Sequence, residues 1–352
     1  MVNILVKTTE EKERTQRLID MKVPAYRQAY SDRTAWIMAC LSELAYIKFN
    51  PLFSNLQHKQ LFLENINKLV DANKHASLLK LIELLGYDHD QEKKKLEAEL
   101  GFLKMNLCAT FDSNGTQAIL VSCESFIVLS FRGTEATSIK DIKADAKAVS
   151  VKCETKGNVH QGFKKAFEDV GFDIQETLDQ DAFQSLPLYI TGHSLGGALA
   201  TVAAKWLSHK GGIAACYTFG APRVGDDYWI ADLKSPVYRL VNAADCVTML
   251  PPGTETITVI SWIAQYIPGI GKSIRSFLLS RFGGYLHGGY MRYLTNCPCG
   301  QFDSVELLYS VSLFYRIKGL IFKKLPWKAF LSDHSIGVYR KKLEIIAHRR
   351  NC

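Results

Sequence analysis

LYITGHSLGGALA, residues 188–200, is the stretch that decides the fold of this chain. Its first four residues are apolar or β-branched and read as a short buried strand. From Ala198 to His209 the sequence is rich in small, apolar residues and reads as a helix. Between the two, Gly192, His193, Ser194, Leu195 and Gly196 form a G-x-S-x-G turn. A chain that passes from strand to helix this abruptly holds its apex residue in strained backbone geometry, with the side chain projecting. Gly192 and Gly196 remove the side chains that would collide across the turn. Gly197 and Ala198 let the helix approach the sheet. G-x-S-x-G alone is a weak signal, because Gly and Ser are common in loops. Set between a strand and a helix, it marks Ser194 as a nucleophile.

A nucleophilic serine needs a base, and the base needs a carboxylate to fix its tautomer. Where the nucleophile sits on such an elbow, the acid and then the base follow it in the chain. Val237 to Asn242 reads as a strand, and Asp245 follows it after Ala243 and Ala244. Asp245 is therefore the expected acid. Asp226, Asp227 and Asp232 are rivals in a polar stretch and read as solvated. Three histidines come later. His334 stands at the entry to a terminal helix with Ile336, Tyr339, Leu343 and Ile346 on one face, and it is the expected base. His287 reads as a hydrogen-bonding core residue, and His348 as a surface residue in a basic tail. The oxyanion of an acyl-transfer intermediate needs backbone donors. Leu195, directly after the nucleophile, supplies one. Thr134, after the strand Ser125 to Phe131, is the candidate for the other.

Working outward, Thr116 to Ser122, Ala214 to Phe219 and the YMRYL segment (290–294) read as further strands. His160 to Val170 reads as the start of a helix. Strands alternating with helices imply an α/β fold with a mostly parallel sheet flanked by helices. The first hundred residues carry helical spacing over Thr34 to Phe49, Leu61 to Leu85 and Gln91 to Leu103. The expected organisation is an N-terminal helical region (1–105) packed on a catalytic domain (106–350), with cap or insertion helices within 255–332.

The chain has 352 residues, 47% of them hydrophobic and 22% charged, with a formal net charge of +8. That composition excludes disorder and permits contact with anionic partners. Nine scattered Cys do not form a disulfide framework, and Cys297 and Cys299 lack a second ligand pair for zinc. No cofactor and no metal are expected. The N-terminus lacks the order of a secretory signal, and no stretch is long enough to span a bilayer. A cytoplasmic or peripheral membrane protein is expected, with signal-independent export also open. Between Gly271 and Phe330, nine Lys or Arg (272, 275, 281, 292, 316, 318, 323, 324 and 328) face only Asp303 and Glu306. Interleaved with Trp and Phe, they suit peripheral contact of 270–330 with an anionic membrane. No nucleic-acid motif is present.

Read together, these segments resemble the class 3 (fungal-type) lipases. The resemblance runs through TQAILVSCESFIVLSFRGTE (116–135), VHQGF (159–163), YITGHSLGGALA (189–200) and YTFGAPRVG (217–225). It continues through RLVNAADCVTMLPP (239–252), GYLHGG (284–289) and DHSIGVY (333–339), and covers roughly residues 106–345. It implies an α/β-hydrolase fold and cofactor-free hydrolysis of acyl-lipid esters, as by a triacylglycerol lipase or a phospholipase A1. It carries the nucleophile onto Ser194, the acid onto Asp245, the base onto His334 and the oxyanion donors onto Thr134 and Leu195. Acyl transfer by the same triad, or a catalytically silent lipid- or partner-binding member, are the alternative readings. Asp226 stands where such proteins often have Asn, and Cys246 where Pro or Ile is usual. The family's lid position, Ser138 to Asp145, carries only Ile139 and Ile142 as large apolar residues. Strong interfacial activation through it is not expected.

Overall fold

The computed structural model describes residues 4–21, 26–47, 89–134, 150–243, 245–253, 284–298, 300–312, 314–316 and 332–351, with isolated positions at 64, 67, 70, 71, 256–258, 261, 262, 273, 276–278 and 282. Most of the helix expected over Leu61 to Leu85, the segment Ser138 to Asp145 and most of the 255–332 insertion lie outside these residues.

The strands are β1 (Asn106–Ser113), β2 (Thr116–Ser122), β3 (Ile127–Phe131), β4 (Ser150–Lys152), β5 (Asn158–His160), β6 (Leu188–His193), β7 (Ile213–Phe219), β8 (Val237–Asn242), β9 (Tyr290–Leu294) and β10 (Leu307–Leu308). Eight of them form one sheet in the order β1-β2-β3-β6-β7-β8-β9-β10, and β4 and β5 pair as a separate ribbon. The five strands from β3 to β9 pair parallel, and the ends of the sheet are antiparallel. This is the mostly parallel sheet of an α/β-hydrolase fold. β1 was not expected from the sequence. Its side chains are half-buried along most of its length and show no clear alternation.

Both faces of the sheet are covered. Strand alternation sends Ile127, Leu129 and Phe131 to one face and Val128 to the other. The first face packs on α4 (Gln161–Leu178) and α5 (Leu195–Trp206). In α4, Phe163, Phe167, Val170, Ile174 and Leu178 form a buried stripe at helical spacing. The second face packs on α2 (Asp32–Leu44) and α7 (Ile336–Asn351), with α1 (Thr9–Asp20) against α7 and α3 (His89–Phe102) against β1. α2 is buried almost all round, because it lies between the sheet and α7. Arg340 of α7 is buried and ion-pairs with Glu43 of α2, while its guanidinium also donates to the Leu5 carbonyl.

Several expectations need correction. Asp226 is not solvated: it caps the short helix α6 (Asp227–Ala231) by accepting from the Trp229 N–H and also binds the Asn158 amide at 2.9 Å. Asp232 ion-pairs with Lys205 at 3.3 Å, and of the three rivals only Asp227 is exposed, its carboxylate accepting from the Tyr228 N–H at 2.9 Å. His348 belongs to the terminal helix and is half-buried. Two of the nine cations counted towards a membrane are committed elsewhere. Arg292 lies against the rings of Tyr30, Tyr238 and Tyr309, and Arg316 is buried. The seven described cysteines are free thiols. Among the described residues no helix is long and apolar enough to cross a membrane.

Candidate active site

Ser194 sits between the end of β6 and the start of α5, at φ 58° and ψ −127°. A positive φ at a non-glycine residue is held only where its surroundings demand it. The surroundings here are glycines. A Cβ at Gly192 would lie 2.2 Å from the Gly196 carbonyl oxygen, and one at Gly196 would lie 2.3 Å from the Phe131 carbonyl oxygen. The elbow is therefore pressed against the end of β3. Gly133 continues that strand end, and its Cβ position lies 3.2 Å from the Ser194 Cβ. Thr134 follows directly and is half-buried, so the β3 loop and the first turn of α5 flank the serine from two sides. Leu195 opens that helix, whose N-terminal end favours negative charge.

The structure brings the three expected side chains together from three places in the chain. His334 Nε2 lies 2.9 Å from Ser194 Oγ, and its Nδ1 lies 3.0 Å from both carboxylate oxygens of Asp245. A carboxylate can only accept, so Nδ1 carries the proton and Nε2 accepts from the serine hydroxyl. All three are buried, at 3% exposure for Ser194, 1% for His334 and 0% for Asp245. Asp245 also accepts from the Val247 N–H at 3.0 Å and from the Tyr339 hydroxyl at 2.6 Å. Burial and then the Asp245 charge push the Tyr339 phenol well above its usual range, which keeps it a donor. Gly220, at φ 59°, leaves the space this pairing needs: a Cβ there would lie 2.6 Å from Asp245 Oδ2. His287 is not part of the group. Its Nε2 donates to the Thr248 carbonyl at 2.6 Å.

Two further parts of the site were not expected from the sequence. His193 precedes the serine and is buried, and its Nε2 donates to the His334 carbonyl at 2.6 Å. Its Nδ1 then accepts from the Tyr46 hydroxyl at 2.7 Å. Burial, and after it the nearby His334 ring, hold the His193 pKa well below the ordinary histidine value, so this ring stays neutral. Tyr46 lies just beyond α2, and its link to the site is a contact across 147 residues. The second part is Asn242, the last residue of β8. It donates from Nδ2 to the Asp333 carbonyl at 2.8 Å and is held in turn by Lys342 at 2.7 Å. The loop carrying His334 is thus pinned through the backbone carbonyls of Asp333 and of His334 itself. Among the described residues no His, Cys, Asp or Glu cluster is built to hold a metal.

Residues 128–255 match the family model described as Lipase (class 3). The chain is 39% identical over 186 residues to the "Secreted mono- and diacylglycerol lipase 1" of Fusarium solani, covering 51% of this chain and 53% of that protein. It is 35% identical over 142 residues to a lipase of Rhizomucor miehei, covering 37% of this chain and 38% of that protein. The chain thus spans about half the length, or less, of these relatives. Of solved structures, the native Rhizomucor miehei lipase propeptide complex superposes on 59% of this chain and 61% of its own, at a TM-score of 0.42 and 27% identity. The matched segment contains the serine elbow and Asp245, and over it the chain is similar to the class 3 lipases.

Proposed function

We propose that the protein is a serine hydrolase that cleaves carboxyl esters of acyl lipids. The observation that carries this reading is the hydrogen-bonded line from Ser194 Oγ through the His334 ring to Asp245. In the proposed reaction Ser194 Oγ attacks the ester carbonyl while its proton passes to His334 Nε2. The oxyanion is met by the N–H groups of Thr134 and Leu195. Collapse breaks the ester C–O bond, and the departing alcohol takes the proton from His334. Water then attacks the acyl-enzyme through the same base, releasing the fatty acid and restoring Ser194. Asp245 stays ionised throughout and stabilises the imidazolium. The Fusarium relative is named for mono- and diacylglycerols. Glycerolipids are accordingly the proposed substrate class, with triacylglycerol lipase or phospholipase A1-type action on the ester bond.

The test pairs a short-chain p-nitrophenyl ester with a fluorogenic sn-1-labelled phospholipid and a labelled diacylglycerol. Ser194→Ala and His334→Ala abolish activity on all of them, while His287→Ala retains it. Wild-type protein that turns over none of these esters and is not labelled by a fluorophosphonate sinks the proposal. Peripheral membrane contact is proposed to use Lys323, Lys324 and Lys328 within 270–330. Liposome flotation that ignores both anionic lipid and the change of these three to Glu removes that part alone.

A further inference from the structure

The turn that carries Asp245 is gripped by a side chain from much further along the chain. Arg316, from the stretch expected to hold cap or insertion helices, is buried at 4% exposure. Its Nη2 donates to the Asp245 carbonyl at 3.2 Å and to the Thr248 hydroxyl, which itself donates to the same carbonyl at 3.0 Å. The segment around Arg316 is braced on the same turn. The Arg316 and Tyr315 N–H groups bind the Ser312 carbonyl and hydroxyl, at 3.2 and 3.1 Å. The Tyr315 ring packs edge-on against Tyr293 at 5.9 Å, and the Tyr293 hydroxyl donates to the Ala243 carbonyl at 3.2 Å. Tyr293 and Arg316 thus hold the turn from both sides of the acid.

The charges around Asp245 give a reason for an arginine at this place. Asp245 is sealed from solvent, and a buried carboxylate is costly unless charge and hydrogen bonds offset it. The donors to its carboxylate are neutral in the resting site. One is the Val247 N–H, and another is His334, which carries a single proton on Nδ1 while Nε2 accepts from Ser194. Burial and then the Asp245 charge keep the Tyr339 phenol protonated, and the same two causes push the Cys246 thiol up. His193, against the His334 ring, is held neutral as well. Lys342, another buried cation, is turned to Asn242 Oδ1 and the Thr295 carbonyl. Arg316 is the cation that touches the acid's own backbone. Burial pushes its pKa down, and the charge of Asp245 acts against that. Arg239 of β8 is a further charged neighbour, its pKa lowered to about 9 by burial and then by the Arg316 and Arg223 guanidiniums. Arg316 therefore stays out of water and near a like charge, and the attraction of Asp245 offsets both.

We propose that Arg316 is the resting counter-charge of the catalytic acid, a positioning residue that balances Asp245 and fixes its turn while His334 is neutral. For its catalytic consequence the inference rests on the hydrolase reading. Asp245 has to wait, charged and aimed at His334 Nδ1, through every part of the cycle in which the imidazole carries no charge. Only when Ser194 gives up its proton does His334 become a cation and take over part of the balance. The guanidinium meets the Asp245 carbonyl and leaves both carboxylate oxygens to His334, Tyr339 and Val247. It supplies charge without competing for the imidazole.

The test separates charge from hydrogen bonding at position 316 in the full chain. Arg316→Lys keeps the charge, and Arg316→Gln keeps a donor for the Asp245 carbonyl without it. kcat and KM are measured on a p-nitrophenyl ester, normalised to serine titrated to completion by a fluorophosphonate. Arg316→Gln is expected to lose kcat about 10–100-fold with KM within about twofold, and Arg316→Lys to recover most of the loss. A kcat equally low in both variants, or unchanged in Arg316→Gln, overturns the proposal. Thermal unfolding supplies a readout that needs no turnover. Arg316→Gln is expected to lower Tm by roughly 4–7 °C in the wild-type background and by less than about 2 °C in the Asp245→Asn background. Equal losses in the two backgrounds overturn the pairing of the two charges. Should Arg316→Gln fail to fold by itself, a folded double variant with Asp245→Asn carries the same decision, and an unfolded one overturns the proposal. Wild-type protein that hydrolyses no ester, yet shows this dependence of Tm on Asp245, removes the hydrolase reading and leaves the charge pairing standing.

Discussion

Gly220→Ala tests how tightly the space around the acid is set. Gly220 follows β7 with φ at 59°, a left-handed conformation that costs an alanine about 1–2 kcal/mol. Its added Cβ would meet Asp245 Oδ2 at 2.6 Å, His334 Nδ1 at 3.0 Å and His334 Cε1 at 3.1 Å. Ordinary contact begins near 3.4 Å, so the carboxylate must move by about 0.8 Å. It cannot move freely, because Tyr339 holds Oδ2 at 2.6 Å and Val247 holds Oδ1 at 3.0 Å. Weakening such a charge-assisted bond costs about 1.5–3 kcal/mol. Together with the backbone strain, the expected loss is roughly 3–5 kcal/mol of stability. A displacement near 1 Å in a reacting group lowers kcat by about 100-fold. Gly115→Ala is the control. It has φ at 86° but nothing within 4 Å of the added Cβ, so it carries the backbone strain without the collision. The assay is kcat on a p-nitrophenyl ester, normalised to serine titrated by a fluorophosphonate, beside urea unfolding of both variants. A Gly220→Ala enzyme whose kcat lies within twofold of Gly115→Ala refutes the reasoning.

Three further outcomes follow from the same geometry. Tyr46→Phe leaves His193 Nδ1 buried without its donor; stability falls by about 1–3 kcal/mol, and kcat falls about tenfold with KM little changed, as steady-state kinetics will show. Tyr339→Phe removes a donor from Asp245 and leaves the Asn242 N–H, which it now satisfies at 2.9 Å, without an acceptor; denaturant unfolding is expected to register a loss of about 2–4 kcal/mol. His193 and His287 are both held neutral below the ordinary histidine value of 6.5, so the unfolded chain binds protons that the folded one refuses. Stability is therefore full above pH 6.5 and falls as the pH drops below it, by up to about 1.4 kcal/mol per pH unit for each ring, and a flat stability profile between pH 7 and 5 contradicts this.

What the sequence made legible was whatever local chemistry forces. An elbow needs glycines at fixed positions, and a buried parallel strand needs a run of apolar residues, so β6, β7 and β8 stood out with their flanking turns. Asp245 and His334 were readable because each follows or precedes a strongly patterned element. Tyr46 was not. An aromatic residue beside a helix has the look of core, and only the packing of α2 on β6 aims its hydroxyl at His193. Asp226 was misread for a related reason. A carboxylate in a polar stretch is solvated by default; its cap on the Trp229 N–H is local, but its second oxygen is held by the Asn158 amide, 68 residues upstream. His193 was visible as a letter of the motif, but its partners lie 141 and 147 residues away.

The packing of α2 also bears on the chemistry. Leu41 and Ser42 of that helix, and Tyr46 in the turn after it, are each tied to the central strands by a polar interaction. The Leu41 carbonyl accepts from Ser130 of β3 at 3.1 Å, and the Ser42 hydroxyl meets Thr191 of β6 at 3.0 Å. Thr191 also reaches the Tyr217 carbonyl of β7 at 2.9 Å. These groups are buried, so breaking any one of the hydrogen bonds strands a polar atom in an apolar interior at a cost of about 1–3 kcal/mol. A one-turn slide of α2, about 5.4 Å, would break all of them at once. Apolar packing alone would tolerate small shifts of the helix; the polar row fixes its register. That register delivers the Tyr46 hydroxyl to His193, and His193 in turn holds the carbonyl of His334. Glu43, on the same helix, fixes Arg340 of α7, the helix that His334 leads into. The orientation of the imidazole beside Ser194 therefore depends, through hydrogen bonds as well as the hydrophobic core, on a helix that ends at Leu44, far upstream of the serine.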